Sequence, residues 1–200
     1  VLIAFEGIDG SGKSTQARLL VENLQKFGVL CDYSKEPTDG VVGQLIREKV
    51  LRAASVSNPF AIALLYAADR ATHVDQLSQR KEVVHVLDRY FYSSLAYQGV
   101  LGVPQEYILK INSFAPIPDI VFLLDIDPNM SLRRLDSFDE FERLDYLAKV
   151  RDLYLKLAES FSLIILDADR PPDRLATDIL ETVRRKLFMS AGDRAPHRDS

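Results

Sequence analysis

Cysteine is nearly missing from this chain: Cys31 is the only one among 200 residues. That excludes an intrachain disulfide and a thiolate metal cluster, and it fits a reducing compartment, so a cytoplasmic location is expected. No apolar run approaches the roughly 20 residues needed to cross a bilayer, and "VLIAFEG" lacks the charged leader and cleavage site of a signal peptide. No role at a membrane is expected. Positive charge is not in excess either: 25 Lys and Arg face 29 Asp and Glu, a formal net charge of −4. This argues against a surface that coats nucleic acid, while a local basic pocket for a small phosphorylated ligand stays open. Internal repeats and composition-biased linkers are also lacking, so nothing divides the chain.

What is present reads as one α/β domain. A 47% hydrophobic and 27% charged composition is ordinary for a globular chain of this size. Five short apolar runs with little alternation, at 1–5, 29–34, 83–88, 119–125 and 162–167, predict buried parallel strands. Helical spacing fills the intervals at about 13–27, 41–52, 58–80, 104–115, 129–135, 140–160 and 172–188. "SNP" at 57–59 offers a helix N-cap with proline just inside. Strand and helix alternate, so βαβ units build a five-stranded parallel sheet with helices on both faces. The expected domain runs from 1 to 189, and the polar, aperiodic stretch 190–200 is expected to be a disordered tail.

The strongest local signal is "GIDGSGKS", residues 7–14, which fits G-x-x-x-x-G-K-S/T between a predicted strand and a predicted helix. In that context the fold class is a P-loop NTPase fold. Gly7, Asp9, Gly10, Ser11, Gly12, Lys13, Ser14 and Thr15 form the expected ATP-binding loop, whose glycines bring backbone N–H groups close to phosphate oxygens. Lys13 is expected to reach the β- and γ-phosphates, and Ser14 to hold Mg²⁺ directly or through water. The guanine-reading tetrapeptide N-K-x-D has no counterpart, which weakens a GTPase reading.

Two further segments bear on the acceptor. "LLYAADRATHV" (64–74) puts Tyr66 and Arg70 on one helix face. "DRYFYSSLAYQG" (88–99) follows the third strand, with Asp88 at its carboxyl end, where ligands bind in open α/β sheets. Aromatic faces, hydrogen-bonding groups and arginines are what a nucleotide base and its 5′-phosphate require. Taken singly, the tyrosines also suit core packing, Arg70 a surface pair with Asp69 or Asp75, and Asp88 a strand-end turn.

Together with "FEGIDGSGKSTQ", these segments resemble the thymidylate kinase family, from residue 3 to about 180. The resemblance implies ATP-dependent phosphorylation of thymidine monophosphate (dTMP) with Mg²⁺ as cofactor, in a homodimer. It implies that Tyr66 stacks on thymine, Arg70 meets its O4, Ser94 and Gln98 meet the base edge, and Tyr97 packs where a 2′-hydroxyl would sit. Arg89 would bind the acceptor phosphate with Arg47 as a second contact, Asp9 would contact the sugar 3′-hydroxyl, and Asp88 would act near Mg²⁺.

The pattern departs from the family in the lid, expected at about 134–144. Some members carry a P-loop arginine where this chain has Gly10, and rely less on the lid. Here Arg134 matches the first lid arginine, but "DSFDEFER" then brings Asp136, Asp139, Glu140 and Glu142 against Arg143 alone. Lys13, Asp9, Arg89 and Arg134 are the expected catalytic residues, with Arg133 or Arg143 assisting. Arg151 either lines the phosphate site or pairs with Asp145 or Asp152. In "KEPTDG", Lys35 stands in place of the family's arginine and its role is open. The competing functions are a kinase for another nucleoside or nucleoside monophosphate, such as dUMP, and a nucleotide sensor that transfers nothing.

Overall fold

The structure, a computed structural model, describes residues 1–135 and 140–186, and of 140–143 only the backbone. The expected lid therefore lies partly outside the described residues, and the expected tail wholly so.

Five parallel strands, β1 (Leu2–Glu6), β2 (Cys31–Lys35), β3 (Val84–Asp88), β4 (Ile120–Asp125) and β5 (Ile164–Asp167), form one sheet in the order β2-β3-β1-β4-β5. Every residue of β1 and β3 is buried, so both faces of the sheet centre are covered. That burial explains runs without alternation. The edge strands β2 and β5 keep half-exposed positions.

The helices follow the sequence closely. They are α1 (Lys13–Lys26), α2 (Val41–Leu45), α3 (Pro59–Ser78), α4 (Phe91–Val100), α5 (Gln105–Ile111), α6 (Pro128–Arg133), α7 (Glu140–Phe161) and α8 (Pro172–Arg184). Asn58 caps α3 as expected, its side chain accepting from the Phe60 and Ala61 amides at 3.0 and 3.1 Å, with Pro59 at the first turn. α2 passes directly into a π-helical segment, Ile46–Arg52, where one α-helix was expected. Helix α4 has no counterpart among the predicted helices. Phe91, Tyr92, Ser94, Leu95, Ala96 and Gln98 are all buried, so no polar stripe marks a helical period. α4 packs against α7 and α1 against α8. The core joins Ile3, Phe5, Val86, Phe122 and Leu124 of the sheet to Leu20, Leu95, Val150 and Ile179 of these helices.

Candidate functional site

The carboxyl ends of β1, β2 and β3 lie side by side, and of the cavities that open there one, of about 730 Å³, is lined by Arg18, Tyr33, Lys35 and Arg47, while two others hold most of the expected site residues. The larger of these two, about 580 Å³, is lined by the loop Asp9–Gln16, by Asp88, and by Arg134, Arg170, Pro172 and Leu175 at its far end. The smaller, about 360 Å³, is lined by Tyr66, Ser94, Tyr97, Gln98 and Tyr146 among others. Asp9, Lys35 and Arg89 line both. The two spaces meet at those side chains.

The loop after β1 is shaped by glycine. Gly10 has φ +77°, and a Cβ there would lie 2.6 Å from the Ser131 carbonyl oxygen; Gly7, at φ +140°, would meet the Leu124 carbonyl at 2.5 Å. A P-loop arginine in place of Gly10 would therefore be strained by the backbone conformation and would press on the Ser131 carbonyl of α6. Lys13 folds over the loop and donates to the Ile8 carbonyl at 2.7 Å and the Ser11 hydroxyl at 3.2 Å. Burial, reinforced by the nearby Arg89 charge, lowers its pKa to about 7. An anion in the loop would reverse that shift.

Asp88 sits at the end of β3, fully buried. One carboxylate oxygen accepts from Ser14 and, at 3.1 Å, from Tyr33. The other, Oδ1, is buried with no hydrogen-bond partner among the described residues. A buried carboxylate oxygen left unpaired beside the P-loop serine fits a hydrated divalent cation, which takes few protein ligands when phosphate oxygens supply the rest. Among the described residues no cluster of three or more His, Cys, Asp or Glu offers a metal cage.

Arg89 is held in a left-handed conformation, φ +73°, uncommon for a non-glycine residue and typical of functional positions. Its guanidinium donates to Asp9 at 2.5 Å and to the Ser93 hydroxyl at 3.0 Å. Beneath it lies Glu6, completely buried, which accepts from the Tyr90 amide at 2.8 Å, the Ser93 hydroxyl at 2.6 Å and the Tyr154 hydroxyl at 2.9 Å. Burial raises the Glu6 pKa, and those donors with the Arg89 charge pull it back. Burial also works against the Arg89 charge, but Tyr97, Asp9, Tyr154 and Glu6 outweigh it, leaving that pKa well above the ordinary arginine value.

In the smaller cavity, Ser94 Oγ and Gln98 Oε1 are buried without hydrogen-bond partners among the described residues. Both are the expected base-edge contacts, and unpaired buried polar atoms facing a cavity call for a polar ligand. The Tyr97 hydroxyl accepts from the Asp9 amide at 3.1 Å. Tyr146 donates to the Tyr97 carbonyl at 3.3 Å, and burial, with Asp9 next, pushes its phenol up to about 12.

Other expected site residues lie elsewhere or are already paired. Arg70 is 1% exposed; it pairs with Glu36 at 2.6 Å and donates to Asn112 at 2.6 Å, not to Asp69 or Asp75. Asp69 instead accepts from Thr38. Arg47 opens onto a separate cavity with Arg18 and Tyr33, and donates to the Pro37 carbonyl and Asp39. Arg134 reaches the larger cavity with its guanidinium on the Ala168 carbonyl and Asp169. Arg151 makes a two-pronged pair with Asp125, at 2.6 and 2.8 Å, in place of the partners expected for it. Arg143 lies where only the backbone is described. Sequence reasoning missed Glu6, Glu36, Ser93, Asn112 and Tyr146. Glu6, Glu36 and Ser93 sit inside stretches already singled out, but only the fold brings their partners to them.

Comparison with known proteins shows the family. A family model described as thymidylate kinase matches residues 5–179. The chain is 40% identical over 197 residues to a probable thymidylate kinase of Methanococcus maripaludis, covering 92% of this chain and 96% of the relative. Identity is 44% over 171 residues to that of Methanocaldococcus jannaschii, covering 85% and 88%. It is also 44% over 201 residues to that of Pyrococcus horikoshii, covering 93% and 97%.

Proposed function

The chain belongs to the thymidylate kinase family, and from that premise we propose how its two cavities share the work. It is a phosphotransferase that converts dTMP to the diphosphate with ATP as donor. ATP occupies the larger cavity, its phosphates in the loop 7–15 and its base towards Pro172 and Leu175. dTMP occupies the smaller one, with thymine against Tyr66 and its edge on Ser94 and Gln98. The observation that carries this reading is the meeting of the two spaces at Asp9, Lys35 and Arg89, where donor and acceptor phosphates would face each other.

In the transfer, an oxygen of the dTMP phosphate forms a bond to the γ-phosphorus. The bond from that phosphorus to the β–γ bridging oxygen breaks, and ADP leaves with the electron pair. The acceptor oxygen is already anionic, so catalysis is positioning and charge neutralisation. Lys13 serves the β- and γ-phosphates and Arg89 the acceptor phosphate. Asp9, released from Arg89, takes the sugar 3′-hydroxyl, and Tyr97 fills the space a 2′-hydroxyl would need. Ser14 and Asp88 would hold Mg²⁺, which neutralises charge on the phosphates. Arg134 stands at the root of the 134–144 lid, which would shut water out of the site. Arg70 lies behind the cavity wall and would reach the thymine only through movement of the Glu36 pair, and Arg47 approaches the acceptor from the neighbouring cavity.

Residues 1–189 act as one catalytic domain. The substrates and the single buried thiol support a cytoplasmic protein without nucleic-acid or membrane partners; no described helix is long and apolar enough to cross a membrane. Phe60, Leu64, Leu109 and Phe114 are exposed on and near α3, which supports a homodimer.

The test is ADP release with ATP–Mg²⁺ and a panel of nucleoside monophosphates, with Lys13→Ala as control. Turnover on dTMP well above dUMP and the ribonucleotides is expected. Equal turnover on dUMP would remove the thymine specificity, and binding without turnover would leave a sensor.

A further inference from the structure

Two polyanions must be brought together at the boundary of the two cavities, so the cations there decide how the transfer is stabilised. Of the five lysines and arginines that line either cavity among the described residues, four hold a close partner in the protein without ligand. Arg89 pairs with Asp9 at 2.5 Å, Arg134 with Asp169 at 3.3 Å and Arg170 with Asp178 at 2.7 Å. Lys13 is hydrogen-bonded into its own loop, to the Ile8 carbonyl and the Ser11 hydroxyl.

Lys35 is different. It is the last residue of β2, its backbone fixed in register with Asp88, while its side chain is 51% exposed and its ion pair among the described residues is with Asp88, at 3.8 Å. That is a long contact with a carboxylate whose other oxygen is buried without a hydrogen-bond partner among the described residues. Lys35 also borders both cavities. Its amine is a flexible point charge on a four-carbon stem, able to swing from Asp88 to a phosphoryl group without breaking a good hydrogen bond.

We propose that Lys35 is a further catalytic residue of the transfer: it contacts the migrating phosphoryl group from the β2 side, opposite Arg89. In this role it supplies positive charge that the acidic segment after Arg134 does not bring. The proposal rests on the dTMP kinase reading given above. The charge is needed most when the phosphoryl group lies between the two oxygens, so its loss appears in turnover more than in either substrate's binding.

The experiment is steady-state kinetics of the full chain and of Lys35→Ala, Lys35→Gln and Lys35→Arg, with ATP, dTMP and Mg²⁺ each varied. Lys35→Ala and Lys35→Gln should lower kcat by about 10²-fold or more with both KM values changed less than about threefold, and Lys35→Arg should recover most of the loss. Circular dichroism and Tm should match the parent, since the side chain is half exposed. A kcat for Lys35→Ala within twofold of the parent overturns the proposal. So does a loss cured by raising Mg²⁺, which would make Lys35 a partner of Asp88 alone. A parent protein inactive on dTMP would instead sink the acceptor reading, a result distinct from an active parent with an unimpaired Lys35→Ala.

Discussion

Arg89 donates to Asp9 at 2.5 Å where the two cavities meet, so the free protein holds the cation proposed for the acceptor phosphate and the carboxylate proposed for the sugar against each other. Substrate must part them. Arg89→Met should lower turnover by about 10²–10³-fold, the scale of losing one transition-state donor, and Arg89→Lys should recover little because a single ammonium cannot span Asp9, Ser93 and a phosphate. Asp9→Asn should weaken dTMP as well as slow turnover. The double variant should be non-additive by about 0.5–3 kcal/mol. Full additivity in a double-mutant cycle on kcat/KM would mean that the pair does no joint work.

Lys13 makes a proton-linked prediction. Its pKa falls from an ordinary 10.5 to about 7 in the folded protein without ligand. Between those values the unfolded chain holds a proton that the folded one lacks, so this group's contribution to stability rises with pH across the window and is lost as pH falls through 7. Phosphates in the loop restore the charge. At pH 8, ATP–Mg²⁺ binding should therefore take up close to one proton, measured by calorimetry in buffers of different ionisation enthalpy. Lys13→Met should abolish the uptake; its survival in that variant would assign the proton to another group.

Much of this was legible in the chain because its signals are local. The P-loop is eight consecutive residues with a strand before and a helix after, and all five strands were visible as apolar runs. α4 was hidden because a helix buried on nearly all sides shows no stripe. The site partners were hidden for another reason. Arg70 finds Glu36, 34 residues away, and Asn112, 42 residues away; Arg151 finds Asp125 across the sheet edge. A carboxylate within reach on the same helix is what sequence offers as a partner, and the fold chose distant ones in each case.

That distant pair carries weight for stability. Arg70 and Glu36 are 1% and 2% exposed at the side chain, and His73 shares the carboxylate at 3.0 Å. Removing one partner leaves a buried charge uncompensated, which costs about 3–5 kcal/mol. For a chain of this size that corresponds to a fall in Tm of roughly 6–20 °C. Glu36→Gln should show it in thermal unfolding, and Asn112→Ala a smaller loss of about 1–3 kcal/mol. A Tm for Glu36→Gln within 2–3 °C of the parent, about 1 kcal/mol, would mean that water or movement solvates Arg70.

The absent P-loop arginine yields the last prediction. The resemblance to family members with an arginine there invites the change Gly10→Arg, as a source of the positive charge that the sequence after Arg134 lacks. Here the backbone opposes it: φ is +77°, and a Cβ would meet the Ser131 carbonyl oxygen at 2.6 Å and its carbon at 3.2 Å. Ser131 cannot retreat cheaply, because its hydroxyl donates to the Asp9 carbonyl and the residue is itself buried in α6. The left-handed conformation alone costs a non-glycine residue about 1–2 kcal/mol, and relief of the clash would move the neighbouring Asp9, proposed to hold the sugar. Gly10→Arg and Gly10→Ala should therefore both lower turnover and raise the dTMP KM, with Ala no better than Arg. A Gly10→Arg protein faster than its parent would show that the loop and α6 can part, and that added positive charge outweighs the lost geometry.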